Sequence, residues 1–170
     1  MGFAKIELTP IGVVHVDASD EEVRESVNGV DGVVEVYQEY EQALKGLEGV
    51  SHLILVTYLH KVSEQDRKVL LVKPRRLVKY GIPPENLPLI GVFATDSPVR
   101  PNPIGISIVE LKRVLGRFLE VRGLDVFNGT PVLDIKPYTA GRIVQNPVLP
   151  NWYSELLKMV EKTAPGVREL

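Results

Sequence analysis

Apolar positions in this chain recur mostly with a period of two, the spacing of strands that bury one face. Val33–Tyr40 places Val34, Val36, Gln38 and Tyr40 on one side and Val33, Glu35, Tyr37 and Glu39 on the other. Ile11–Val16 is short, apolar and β-branched. Ser51–Leu59 is a near-continuous apolar run, which predicts burial on both faces. Lys68–Lys73, Ile90–Thr95, Ile104–Val114, Phe118–Leu124 and Val132–Lys136 complete the predicted strands, with turns marked by Gly116 and Asn128-Gly129. Helix signals are few. Ala18-Ser19-Asp20 ahead of Glu21–Val27 reads as a short capped helix, and Glu41–Leu47 as a single turn. Asn151 is the predicted N-cap of Trp152–Lys162, where Trp152, Leu156, Met159 and Val160 fall at helical spacing. Residues 81–88, with three prolines, read as a surface loop. Eight or nine short strands predict a mainly β protein: an antiparallel barrel, closed or nearly so, with a few short helices and a C-terminal helix outside it.

Length and composition narrow the picture. A chain of 170 residues makes one domain, two at most. With no cysteine, disulfides, cysteine–zinc sites and thiol catalysis are excluded. The longest apolar stretch, Leu53–Leu59, falls far short of the roughly 18 residues of a membrane span. Residues 1–10 carry Lys5 and Glu7 and no apolar signal core, so a cytoplasmic protein is expected. The net charge of −2 hides an asymmetry. Residues 17–48 hold ten acids and two bases, whereas residues 61–80 hold seven bases and two acids. The basic run reads either as a phosphate footprint or as an ordinary solvated segment.

The familiar nucleotide, zinc-protease and serine-hydrolase signatures are absent. His15, His52 and His60 are too scattered to define a metal site. His15 and His52 read as packed strand histidines, while His60 ends an apolar strand, where a polar group meets a cavity mouth. Two passages stand out. Gly91–Gly105 contains Ser97-Pro98-Val99-Arg100-Pro101-Asn102-Pro103, whose prolines stiffen the backbone and hold Ser97, Arg100 and Asn102 extended. That suits either a ligand grip or a rigid barrel corner. Leu124–Tyr138 contains Asp125, the Asn128-Gly129 turn, and Asp134 and Lys136 on one strand face. Those two are either a surface ion pair or the lining of a polar site.

Together, GVFATDSPVRPNPIG at 91–105 and LDVFNGTPVLDIKPY at 124–138 resemble the TrmO family, also known as YaeB or VirR-like. Gly12-Val13-Val14, Gly46–Gly49, Ser51-His52-Leu53 and Lys73-Pro74-Arg75 fit the same family in order. The resemblance covers roughly residues 8–140, so 1–140 is expected to form the barrel domain and 141–170 an extension with one helix. It implies a homodimer, S-adenosylmethionine as cofactor, no metal, and N6-methylation of threonylcarbamoyladenosine beside the tRNA anticodon. It places the cofactor among His60, Lys61, Asp96, Ser97, Ser107, Ile108 and Leu124-Asp125-Val126-Phe127. It places Arg100, Asp134, Lys136 and Tyr138 near the reacting centre. In that reading Lys73, Arg75, Arg76 and Lys79 hold phosphates of the anticodon arm. The chain departs from the family at Asp96, where an arginine is usual, at Val99 in place of an aromatic residue, and at a shortened 17–28 segment. Asp96 and the short 17–28 segment favour a second reading, a barrel that binds RNA or a nucleotide without catalysis.

Overall fold

The computed structural model describes residues 5–164. Eight strands and two α-helices form: β1 Gly12–His15, α1 Asp20–Glu25, β2 Val30–Val36, β3 His52–Tyr58, β4 Leu71–Val72, β5 Ile90–Gly91, β6 Ile104–Leu115, β7 Phe118–Leu124, β8 Pro131–Pro137 and α2 Asn151–Thr163. Six of the strands close an antiparallel barrel in the order β1-β2-β7-β6-β3-β8. β4 and β5 pair only with each other.

The described chain forms two compact units. The first comprises residues 5–61 and 103–142 and holds the barrel. Its core is the inward half of each alternating strand: Val14, Val34, Val36, Leu53, Leu55, Val109, Leu119, Val121 and Val132. β3 therefore alternates, burying Leu53, Leu55 and Thr57 while Ile54, Val56 and Tyr58 are half-exposed. The expectation of burial on both faces is corrected, because the outer face of a barrel strand has no second layer within its own unit. Closure brings backbones close at β1. A Cβ on Gly12 would stand 2.3 Å from the Glu35 carbonyl oxygen, so only glycine fits there.

The second unit comprises residues 62–102 and 143–164. Its core joins Leu77, Ile82 and Leu87 to Leu156 and Val160 of α2, with Trp152 and Met159 packed alongside. Residues 81–88 are thus not merely a surface loop: Ile82 and Leu87 are buried. The chain passes between the units after Lys61, at Pro103 and after Arg142.

Several predicted elements are shorter than their patterns. The strand predicted over 33–40 stops at Val36, and a 3-10 helix runs over Gln38–Leu44. The predicted strands 68–73 and 90–95 shrink to the two-residue pair β4 and β5, with 3-10 turns at Asp66–Lys68 and Val92–Ala94. Asn151 does not cap α2; Pro150 occupies that position and makes no side-chain cap hydrogen bond. Ser19 does cap α1, accepting from the Glu22 N–H at 3.3 Å, while Glu22 reaches back to the Ser19 N–H at 2.7 Å. That bond holds the Glu22 carboxyl below its usual range.

His15 and His52 are exposed on the barrel's outer face rather than packed. His15 Nε2 lies 2.7 Å from Glu35 Oε2, and the other oxygen of Glu35 accepts from the Arg117 guanidinium. These two hydrogen bonds, His15 first, hold the Glu35 carboxyl below the ordinary 4.5. A depressed carboxylate adds stability above its unfolded pKa and loses it as the pH falls through the folded one. Chemical denaturation from neutral pH downward should therefore show a shallower loss of stability below about pH 4.5 in Glu35→Gln than in the wild type. Superimposable acid limbs would remove Glu35 from the account.

Candidate active site

One rim of the barrel gathers the ends of β1, β3 and β7 and the starts of β2, β6 and β8. His60 and Lys61 follow β3 there, Leu124–Phe127 lead out of β7, and α1 follows β1. His60 Nδ1 is 3.4 Å from the buried Thr130 hydroxyl. Partial burial, then the Lys61 charge, lowers the His60 pKa, against an opposing pull from Asp20. His60 is therefore neutral at neutral pH and offers a hydrogen bond rather than a charge. Lys61 Nζ donates to both Asp20 oxygens, at 2.6 and 2.8 Å, and stands 4.9 Å from the centre of the Phe127 ring. The Arg24 guanidinium lies 5.0 Å from the same centre. Phe127 is thus an aromatic wall that already attracts two cations.

Ser107 is buried inside the barrel and donates its hydroxyl proton to Asp125 Oδ1. Asp125 is exposed, whereas Leu124 and Val126 point into the core. The last two can offer a ligand only backbone atoms. Ile108 faces outward, 53% exposed, on the opposite face of β6 from Ser107. One ligand on one face of β6 cannot meet both side chains, which strand periodicity alone could have shown.

Asp134 and Lys136 lie on the barrel's outer face and are ion-paired, with Asp134 Oδ1 also accepting from the Ile135 N–H at 2.9 Å. Strand register sets them beside an apolar stripe. Lys136 is level with Ile54 and Ile108, and Asp134 with Val56 and Ile106; Tyr58 pairs with Ile104. Ile104, Ile106 and Ile108 are 38%, 69% and 53% exposed. Tyr138 lies at the other end of the barrel, its N–H bonded to the His52 carbonyl. The length of β3, roughly 20 Å at 3.3 Å per residue, separates it from His60.

Asp96, Ser97 and Arg100 belong to the second unit. The Arg100 guanidinium turns onto the loop's own backbone, donating to the carbonyls of Ser97 at 2.7 Å, Val92 at 3.3 Å, and Thr95. Ser97 Oγ accepts from the Val99 N–H at 3.3 Å, and Asp96 is exposed. Arg100 therefore holds the loop's shape. The basic segment is in the same unit. A groove of about 340 Å³ has Lys73 and Arg75 beside Val78, Pro84 and Leu87. Most barrel cations are paired, Arg113 with Glu120, Arg117 with Glu35 and Arg122 with Asp31. By contrast, Lys68, Lys73 and Arg75 have no carboxylate partner among the described residues; Lys73 donates only to the Pro84 carbonyl, at 3.3 Å. Arg76 and Lys79 flank them on the 3-10 helix Arg75–Tyr80, Lys79 lying over the Tyr80 ring.

The closed antiparallel barrel thus carries an aromatic wall, two cations and an acid–hydroxyl pair on one rim. Residues 22–142 match the family described as the tRNA-methyltransferase O N-terminal domain, and the chain belongs to that family. It is 38% identical over 157 residues to a Pyrococcus abyssi protein named "Probable S-adenosyl-L-methionine-binding protein", covering 90% of this chain and 79% of that one. It is 43% identical over 100 residues to the tRNA (adenine(37)-N6)-methyltransferase of Escherichia coli, covering 56% of this chain but only 39% of the enzyme. The crystal structure of TrmO from Pseudomonas aeruginosa superposes with a TM-score of 0.62 at 28% identity, covering 85% of this chain and 61% of that one.

Within the barrel, the Thr57 hydroxyl is fully buried and has no hydrogen-bond partner among the described residues. It presses on Gly105, where a Cβ would stand 2.6 Å from it and 2.9 Å from Leu59 Cδ2. Thr57→Val should keep or raise the unfolding free energy, by up to about 1 kcal/mol, because it removes an unsatisfied hydroxyl. Gly105→Ala should lower it by about 1–3 kcal/mol through overpacking. Urea denaturation measures both; a destabilised Thr57→Val would mean that the hydroxyl is bonded.

Proposed function

We propose that this protein is an S-adenosylmethionine-dependent methyltransferase that acts on N6 of threonylcarbamoyladenosine at position 37, beside the tRNA anticodon, in the cytoplasm. The observation that carries the reading is the rim itself: an aromatic face, neutral His60, the Lys61 and Arg24 cations and the Asp125 carboxylate gather on one barrel end. The cofactor is a cation with a ribose diol, an adenine and an amino-carboxylate, and this donor set suits it. Phe127 offers a π face to a cation or to adenine. Asp125 has an oxygen beyond the one that accepts the Ser107 hydrogen bond, available to a ribose hydroxyl. Lys61 and Arg24 suit a carboxylate.

S-adenosylmethionine supplies an electrophilic methyl group, so the protein's work is alignment and removal of one proton. Asp134 is assigned as the proton acceptor, held in place by its ion pair with Lys136. Tyr138 is placed near that centre by the family resemblance alone; within one barrel it stands at the opposite end from the rim. Asp96 and Ser97 are assigned to the cofactor on the same basis, with Arg100 holding their loop in shape.

Asp134 and Lys136 are level with the exposed isoleucine stripe. We infer that a second copy covers Ile104, Ile106 and Ile108 and, in doing so, encloses Asp134. A homodimer of this kind desolvates the acid without changing the fold of either barrel. Lys73, Arg75, Arg76 and Lys79 are assigned to tRNA phosphates, a role supported by the shortage of carboxylate partners for Lys73 and Arg75.

Calorimetric titration with S-adenosylmethionine, with S-adenosylhomocysteine alongside, should show saturable binding near one per subunit. Absence of heat in the presence and absence of tRNA would sink the reading. Asp134→Asn should lower methyl transfer to tRNA more than tenfold with the melting temperature held, a barrier rise above about 1.4 kcal/mol. Cofactor and tRNA binding without any transfer by the wild type would make the protein a binding module instead. Arg75→Glu combined with Arg76→Glu should weaken tRNA binding and flatten its dependence on salt. An unchanged slope returns that segment to ordinary surface.

A further inference from the structure

Phe93 has no role in the fold. It is 82% exposed, whereas Phe118, also among the exposed side chains, is only 36% exposed. It belongs to neither core cluster and makes no ring contact among the described residues. The backbone beneath it is nonetheless fixed. Its neighbour Val92 is buried and donates its N–H to the Leu70 carbonyl at 3.0 Å. The Val92 carbonyl, in the peptide unit just before Phe93, accepts from the Thr95 N–H at 3.2 Å, the Thr95 hydroxyl at 3.0 Å and Arg100 at 3.3 Å. A large ring held out into water on a pinned backbone loses little entropy when something covers it.

The surroundings within the same unit say what could cover it. The Val92–Leu70 bond and the β4–β5 pairing bind the Phe93 segment to residues 70–72. Lys68 lies just before that stretch and Lys73 and Arg75 just after it, all three without a carboxylate partner among the described residues. Leu71 pairs with Gly91, so Lys73 lies two residues beyond that rung in one direction and Phe93 two residues beyond it in the other, at most about 13 Å along the ladder at 3.3 Å per residue, a span that two extended nucleotides cover. Exposed Leu70, Leu71 and Leu89 add apolar surface. A protein partner would favour a core depleted of charge. A single RNA strand takes both features at once, stacking a base on an aromatic ring while cations take its phosphates.

We propose that Phe93 is a stacking platform for an unpaired base of single-stranded RNA, with Lys68, Lys73 and Arg75 on the flanking phosphates. The inference deepens the tRNA reading above and rests on it for the kind of RNA.

The test is fluorescence anisotropy with a labelled RNA hairpin carrying a long single-stranded loop, against a fully paired RNA of equal length. Phe93→Ala should weaken hairpin binding about tenfold, leave duplex binding unchanged and keep the wild-type salt slope, since no phosphate contact is removed. Phe93→Trp should bind the hairpin at least as well as the wild type. Melting curves confirm that both variants fold. Equal hairpin affinities for wild type and Phe93→Ala, or no hairpin binding by the wild type, overturn the proposal. So does a dimer that becomes a monomer in sedimentation on Phe93→Ala, since a second copy would then be what covers the ring. Phe93-dependent hairpin binding without methyl transfer to tRNA would defeat the enzyme reading and leave the platform standing. Transfer by the wild type with an indifferent Phe93→Ala would do the reverse.

Discussion

Closure of the barrel is the constraint on which the rest depends. β1 is only four residues long, yet it pairs with β2 on one side and β8 on the other. The seam admits no side chain at Gly12, where the Glu35 carbonyl comes within 2.3 Å of a would-be Cβ. Because the sheet closes on itself, no edge of these six strands is left to aggregate. Because it closes antiparallel, alternate strand ends meet at one rim. His60, Lys61, Asp125 and Phe127 come from distant parts of the sequence and meet only for that reason.

The rim is built from reciprocal polar contacts rather than from a deep cavity. Asp20 holds Lys61, Lys61 and Arg24 hold Phe127, and Ser107 holds Asp125. Each of these acidic or cationic groups is already oriented by its neighbour. Neutral His60 beside Lys61 follows the same logic, since a second positive charge there would meet both burial and repulsion.

The second unit uses the opposite strategy. Arg100 binds three carbonyls of its own loop through Nε and Nη2. These bonds give the 95–102 segment a defined shape without regular secondary structure. Among the described residues, Lys68, Lys73 and Arg75 lack the carboxylate partners that most cations on the barrel have. That contrast shows the uneven charge along the chain to be a property of particular surfaces, not an accident of composition.

The order of residues along the chain already carried the strand pattern, the barrel class, the capped helix α1, the apolar stripe of α2 and the family. Each rests on short-range periodicity or on a contiguous motif, and neither needs a partner from elsewhere in the chain. It also placed Asp134 and Lys136 on one face, because a period of two fixes sidedness locally. What each face meets was settled by the assembled fold. It turned Ser107 inward and Ile108 outward, put His15 and His52 in solvent, folded Arg100 onto its own loop, and buried Ile82 and Leu87 under α2. It cut the apolar runs at 68–73 and 90–95 to two-residue strands, because β4 and β5 find only each other to pair with. Burial and pairing are long-range outcomes, settled by which strands become neighbours, and a single chain's pattern carries no record of its neighbours.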